Sequence, residues 1–331
     1  MGFSLALAAL VIEALVGYPG PLFEAIGHPV TWIAKLIVFL EAHGNDAKAS
    51  PARRRLAGAF ALALLLLIVG LVAQAVVALL ALVWPAPLGF LLLAFAASTL
   101  VAQRSLDRHV RAVAQALEQG GMPAARAAVA KIVGRDTSVL DRAGIARAAI
   151  ESLAESFCDA VVAPALWIAL LGLPGGALYK AINTADSMIG HRTPRYQDFG
   201  FAAAKLDDLL NWPAARLAAL WIGLAALLLP EASIAGAWRI VRGDAHMHVS
   251  PNAGWPEAAF AGALSLWLGG PRVYAEKKDG GRREDRWIGN GRADLDARDI
   301  RLALRLYRRA CLIHWAALGF FAGLVFLIAP R

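Results

Sequence analysis

Residues 56–103 read LAGAFALALLLLIVGLVAQAVVALLALVWPAPLGFLLLAFAASTLVAQ, a run of 48 residues without one ionisable side chain. No soluble helix of that length stays uncharged on every face, so this stretch makes the chain a membrane protein. Trp84-Pro85-Ala86-Pro87 interrupts the run. At ~1.5 Å rise per residue and ~30 Å of hydrocarbon, the arm before this turn is ample for a crossing and the arm after it is marginal. The reading is a helical hairpin over 56–103 with a Pro-rich turn at one surface. Arg53, Arg54 and Arg55 precede it and Arg104, Arg108 and Arg111 follow it, so the positive-inside bias places both open ends on the cytoplasmic side.

Working outward, residues 310–330 form a C-terminal transmembrane helix whose one ionisable group is His314. Residues 209–230 are a weaker span because Arg216 sits inside it. Residues 160–179 are uncharged but carry Pro164, Gly172, Pro174, Gly175 and Gly176, which fits a broken or re-entrant helix lining a cavity. Residues 3–17 and 29–40 either cross or lie in the interface. The N-terminus has no Lys or Arg ahead of its apolar run and carries Glu13 within it, so it is expected to be retained rather than cleaved as a signal. No alternating strand pattern occurs. The expected fold is all-α, a polytopic integral membrane protein with about 4–6 membrane segments, some broken or re-entrant, and helical polar regions between them. Residues 104–212 and 231–309 are those polar, motif-bearing regions within one enzyme domain over 1–331; residues 275–286 look like a flexible loop.

Composition agrees: of 331 residues, 59% are hydrophobic and 18% charged, a balance more apolar than soluble chains show. The 33 Lys and Arg against 25 Asp and Glu give +8, without a nucleic-acid motif beside them, and belong to loops near anionic lipid. Nucleic acid is excluded as a partner. Two cysteines, Cys158 and Cys311, exclude a disulfide scaffold.

Four polar constellations need explaining. Arg147, Glu151, Glu155 and Asp159 follow at four-residue steps after Gly134-Arg135-Asp136-Thr137, forming one charged helical stripe with three carboxylates. A metal, a cation or a shared proton would offset their repulsion; a solvated face with Arg147 as partner is the alternative. Lys180, Asn183 and Asp186 fall at helical i, i+3, i+6, and Arg192 and Arg195 flank the turn at Pro194. Cations for a phosphate and oxygen ligands for a divalent metal would look like this, as would a loop salt-bridge network. Lys205, Asp207, Asp208 and Asn211 put an acidic pair at the entry to a membrane segment, a candidate Mg²⁺ site. The segment from His246 to Glu257, with Pro251, Gly254 and Pro256, specifies a rigid irregular loop that holds His248, Asn252 and Glu257 toward a ligand with Trp255 as an apolar wall, or else an interfacial loop anchored by Trp. His28-Pro29 suits a helix start. Phosphate loops, dinucleotide fingerprints, nucleophile elbows and His-Glu-x-x-His are all absent from the sequence.

Glu151-Ser-Leu-Ala-Glu155, Asp159-Ala-Val-Val-Ala-Pro164, Asn183-Thr-Ala-Asp186, Arg195-Tyr-Gln-Asp198-Phe-Gly200, Lys205-Leu-Asp207-Asp208, Asn211-Trp212 and Ser250-Pro-Asn252-Ala-Gly-Trp255-Pro-Glu257 follow one another in an order that resembles the CobD/CbiB family across the whole chain. His28-Pro29-Val30 and Trp287-Ile288-Gly289 resemble it too. The chain departs from the family pattern at Gly17-Tyr18-Pro19, where Gly-Asp-Pro is expected, and at Glu13, Ser156, Ala160 and His191.

The resemblance implies an adenosylcobinamide-phosphate synthase of cobalamin biosynthesis: a multi-pass enzyme of the cytoplasmic (inner) membrane that joins adenosylcobyric acid to aminopropanol phosphate, or aminopropanol, with ATP and Mg²⁺. Its implied partners are the corrinoid substrate, aminopropanol phosphate, the lipid bilayer and other cobalamin-assembly enzymes. On that reading Glu151, Glu155, Asp159, Asp207 and Asp208 are the catalytic candidates, and Asp186, Asp207 and Asp208 the metal ligands. Arg135, Lys180, Arg192 and Arg195 steady phosphate, and His28, Asn183, His248, Asn252, Trp255 and Glu257 meet the amide-rich corrin periphery. A Mg-dependent membrane prenyltransferase and a polytopic transporter are the rival readings of the same acidic motifs.

Overall fold

The computed structural model describes residues 1–270, 272–273, 282–283 and 286–328. Most of the segment 275–286, expected to be a flexible loop, lies outside them, as do residues 329 and 330 of the last expected span. Thirteen α-helices and four short strands follow one another among the described residues. Six helical stretches there are long and apolar enough to cross a bilayer: Gly20–Gly44, Pro51–Val83, Ala86–Val129, Arg142–Ile189, Phe201–Ala226 and Ala297–Ile328. The all-α polytopic expectation holds. It missed only two ribbons, in which Trp267–Gly269 (β1) pairs antiparallel with Trp287–Gly289 (β4), and Arg272–Val273 (β2) with Arg282–Arg283 (β3). Strands of two or three residues are too short to show an alternation in sequence.

The chain divides into two compact units, the first comprising Met1–Ala102, Asp159–Asn211 and the end of the chain from Ala317, the second Gln103–Cys158 and Trp212–Ala316. In the first, helices α1 (Gly2–Leu15), α2 (Gly20–Ile26) and α3 (Pro29–Gly44) precede the hairpin of α4 (Pro51–Val83) and α5 (Ala86–Ser98). Ser50 caps α4 by accepting from Arg53 N, Pro51 occupies its first turn, and Pro85 is the N-cap of α5, so the break falls at Trp84-Pro85, the first half of the expected Trp84-Pro85-Ala86-Pro87 turn. Leu82 is 85% exposed and Phe60 71%, and Leu56, Leu67 and Leu71 are also exposed, which is the surface expected of a helix solvated by lipid tails. At ~1.5 Å per residue, α4 extends to ~50 Å, longer than the ~30 Å of hydrocarbon it would cross. By the same rise α1 reaches only ~21 Å; Leu5, Ala6, Ala9 and Leu10 are buried, and α1 packs on α5 and α9.

Helix α9 (Ala163–Ile189) follows a π-helical turn at Cys158–Val162 and is broken at Gly172, whose φ of 69° is left-handed, two residues before Pro174. The broken helix expected over 160–179 is thus present. Ile33, Ile37, Leu62, Leu65, Ala181, Ile182, Ala185 and Ala203 form the core beneath the site, joining α3, α4, α9 and the start of α10 (Phe201–Ala226).

The second unit comprises α6 (Gln103–Gln115), α7 (Gly121–Val129), α8 (Arg142–Phe157), the later part of α10, α11 (Ile234–Asp244), α12 (Gly254–Leu264) and the first part of α13 (Ala297–Ile328). Asp141 caps α8 by accepting from Gly144 N at 2.7 Å, and Ser233 caps α11 by accepting from Gly236 N at 3.0 Å. Every residue of α12 except Trp255 is buried. Its packing on α11 is backbone to backbone, since a Cβ at Gly262 would lie 2.3 Å from Gly236 O.

Candidate functional site

In the first unit, the loop 190–200 between α9 and α10 lies against the N-terminal end of α4. Gly58 makes this approach possible: a Cβ there would fall 1.9 Å from Phe199 O. The residues just before Gly58 then grip the loop. Arg55 Nε donates to Asp198 at 2.8 Å, while Arg54, only 9% exposed, donates to the carbonyls of Pro194, at 3.1 Å, and Arg195. Glu41 takes a two-pronged pair of bonds from Arg195, Nε at 3.0 Å and Nη2 at 2.8 Å, which raises the Arg195 pKa above its ordinary value. Arg195, expected to bind phosphate, is therefore already committed to a carboxylate of α3.

Arg192 is placed differently. It is exposed, forms no hydrogen bond or ion pair among the described residues, and lies near enough to Asp208 for their charges to interact. It lines an open cleft of about 590 Å³ together with Arg55, Gln197, Asp198, Lys205 and Asp208. Lys205 Nζ is 3.8 Å from Asp208 Oδ2. Asp186 closes over the adjoining wall, because a Cβ at Gly190 would meet its Oδ1 at 1.9 Å.

Behind the cleft, α9 and α10 share a buried polar ladder. Lys180 Nζ donates to Asn183 Oδ1 at 3.2 Å, Asn183 Nδ2 to Asp207 Oδ1 at 3.2 Å, and Asn211 Nδ2 to Asp207 Oδ2 at 2.9 Å. Tyr179 Oη, 2.8 Å from Asn211 Oδ1 and 3.1 Å from Asp159 O, ties the ladder to the π-helical turn. The helical spacing of Lys180 and Asn183 was readable, and so was that of Asp207 and Asn211; their meeting across two helices was not. Asp186, Asp207 and Asp208 do not gather as a three-ligand metal centre, since no three His, Cys, Asp or Glu side chains converge among the described residues. Mg²⁺ fits here only in its usual enzymatic form, with one or two protein carboxylates and the remaining positions filled by phosphate oxygens and water. His28 is the N-cap of α3, its Nδ1 accepting from Val30 N at 3.2 Å, so the helix-start reading accounts for it.

In the second unit the expected stripe divides. Glu151, 2% exposed, accepts from Arg135 and from Gly269 N at 2.7 Å, fastening α8 to β1. Arg147 sends its guanidinium to Ala293 O at 2.9 Å and over the Trp287 ring at 4.7 Å, while Glu155 is exposed. The stripe drifts about 40° per step, and this drift carries the charges from the ribbon to the open face. Asp136, read with Arg135, bonds instead to Ser138 Oγ at 2.7 Å and N at 2.9 Å, which holds its carboxyl below the usual range.

The loop before α12 is held by local hydrogen bonds. His248 Nε2 stands 3.7 Å from Glu257 Oε1 while Nδ1 accepts from Ser250 N at 3.0 Å. Arg216 accounts for its own place in an apolar helix: it lies between the rings of Trp212, at 4.5 Å, and Trp255, at 4.3 Å, and donates to Asn252 Oδ1 at 2.9 Å. Sequence reasoning missed Glu41, Asn45, Arg54 and Arg55 as site residues. An ionisable side chain within apolar α3 was the one available signal for Glu41.

No solved structure matches the chain. Among curated relatives, a cobalamin biosynthesis protein CobD of a Sinorhizobium species is 47% identical over 97% of this chain and 96% of its own length. That of Rhodobacter capsulatus is 46% identical over 93% of each chain, and that of Brucella suis biovar 1 is 44% identical over 96% and 94%. The family model described as CobD/Cbib protein matches residues 6–307. On the strength of that match and of relatives aligned over nearly their full length, the chain belongs to the CobD/Cbib family.

Proposed function

We propose that this protein is a ligase of cobalamin biosynthesis, anchored in the cytoplasmic (inner) membrane, that forms an amide between the carboxylate of adenosylcobyric acid and the amine of aminopropanol phosphate, or of aminopropanol. The product is adenosylcobinamide phosphate, or adenosylcobinamide. The observation that carries this reading is the open cleft lined by Arg55, Arg192 and Lys205 with Asp198 and Asp208. Guanidinium and ammonium groups suit phosphate oxygens, and a carboxylate beside them suits either a metal that arrives with phosphate or a substrate ammonium.

A carboxylate is a poor electrophile at neutral pH, and ATP with Mg²⁺, when bound, supplies the activating phosphoryl group, with ADP and then inorganic phosphate leaving as the amide forms. The chain's own residues do the rest. Arg192 and Lys205 hold the phosphate end of the amine substrate, and Asp208 would hold Mg²⁺ where that is bound, or takes the proton released as the ammonium becomes a nucleophile. Asp207 is fixed in orientation by two side-chain amides, and Lys180 beside it offsets negative charge that develops during acyl transfer. Glu155 and Asp159 are the further proton acceptors. His28 and Asn183 of the first unit are the candidates for the amide-bearing corrin edge.

Purified protein supplied with ATP, Mg²⁺, adenosylcobyric acid and aminopropanol phosphate is expected to yield the cobinamide phosphate. Glu155→Ala and Asp159→Ala should abolish this turnover while the protein still accumulates in the membrane. Near-normal product from both variants would remove these two carboxylates from the mechanism, and no corrin amide from the wild type would remove the function.

A further inference from the structure

The arginine triplet Arg53-Arg54-Arg55 reads in sequence as a charge signal that orients α4 in the bilayer. Such a role depends on positive charge alone, so Lys would serve as well as Arg. The structure separates the three. Arg53 is exposed, whereas Arg54 is buried and uses all three guanidinium nitrogens: Nε and Nη2 donate to Asn45 Oδ1 at 3.1 and 3.0 Å, Nη1 to Pro194 O at 3.1 Å, and Nη2 also to Arg195 O. Asn45 closes the circuit by donating from Nδ2 to Glu41 Oε1 at 2.9 Å and to Arg195 O at 3.0 Å, and Arg195 returns its guanidinium to Glu41.

We propose that Arg54 is a positioning residue: with Asn45 and Glu41 it clamps the Pro194-Arg195 turn, and so sets the direction in which Arg192, two residues earlier, enters the cleft. Two consecutive carbonyls turned inward need donors in a fixed fork. A planar guanidinium supplies that fork, and an ammonium on a flexible stem does not. Arg55, holding Asp198 on the far side of the same turn, leaves the loop gripped at both ends by adjacent residues of one helix.

The kinetic arm of the test rests on the cleft being the phosphate subsite; the structural arm does not. Arg54→Lys keeps the charge and hence the topology, and Arg53→Lys is the matched control. In Arg54→Lys the KM for aminopropanol phosphate should rise by ~10-fold or more with kcat little changed, as loss of a pre-set binding geometry requires. A cysteine introduced as Thr193→Cys should label faster with a water-soluble maleimide in the Arg54→Lys background than in the parent, with buried Cys158 and Cys311 giving little background. Arg53→Lys should change neither. Asn45→Ala breaks the same circuit without touching charge and should reproduce both effects if Arg54→Lys fails to accumulate. Unchanged KM and unchanged labelling in either clamp variant would overturn the proposal. Faster labelling in a protein whose wild type makes no amide would leave the clamp standing and overturn the function instead.

Discussion

The loop 190–200 in one unit and the segment 248–257 in the other carry similar sequence signals, each with proline, glycine, a histidine and a carboxylate, yet their polar groups have different destinations. Around 190–200 the bonding residues, Glu41, Asn45, Arg54, Arg195 and the Arg55–Asp198 pair, shape the chain, and Arg192 with Lys205 and Asp208 is left at an open cleft. In 248–257 the recognisable residues are themselves the framework: Asn252 and Trp255 hold Arg216, and His248 stands against Glu257, at the start of a helix, α12, that is buried along nearly its whole length. Residue type and spacing announce that a polar group has work to do at a helix end. Whether that work is holding backbone or meeting a ligand depends on which groups remain beside open volume.

The sharpest way to break this contrast is to separate α4 from its loop. Gly58→Ala places a methyl where only 1.9 Å remains to Phe199 O, so the loop must move and turnover should fall by ~100-fold, since misplacing binding groups by an ångström costs that much. The matching change in the other unit, Gly254→Ala, meets Ala245 O at 2.1 Å and should cost stability with little effect on the KM for the phosphorylated amine. If the two variants exchange these phenotypes in steady-state assays, the cleft has been assigned to the wrong unit.

A smaller effect probes the framework itself. Glu151→Ala leaves Arg135 without its buried partner and frees Gly269 N, and should lower stability by about 3–5 kcal/mol, read as a fall in Tm in detergent. Smaller again, Asn252→Ala removes the one side-chain oxygen among the acceptors of Arg216, which keeps the Trp212 and Pro251 carbonyls, and should cost about 1.5–3 kcal/mol. A kinetic defect from Asn252→Ala with unchanged Tm would show that the 248–257 segment contacts substrate directly.

Much of the architecture was legible because lipid imposes it. The uncharged run over 56–103 had to be a hairpin, its turn had to lie within Trp84-Pro85-Ala86-Pro87, and the prolines and glycines after Asp159 had to interrupt a helix; all three are present. The ladder from Lys180 to Asp207 was half legible, since each helix presents its own residues in register while the pairing of α9 with α10 is tertiary. The division of labour between Arg192 and Arg195 was not legible at all. Both flank one proline, and only Glu41, 154 residues earlier in the chain, distinguishes them. Arg54 was hidden for the opposite reason: its charge already had an explanation in membrane topology, and that explanation ignores side-chain geometry. For the Glu151 stripe, periodicity reports a shared helix face but not what each turn of it meets, and here a drifting face meets β1 at Glu151 and open surface at Glu155.

The most direct test compares the phosphorylated with the unphosphorylated amine. The ratio of kcat/KM for aminopropanol phosphate to that for aminopropanol should favour the phosphate in the wild type and fall by ~10-fold in Arg192→Ala, or about 1.4 kcal/mol of lost discrimination, with Tm unchanged because the side chain is exposed. A ratio that Arg192→Ala leaves untouched would contradict the assignment of the cleft to phosphate.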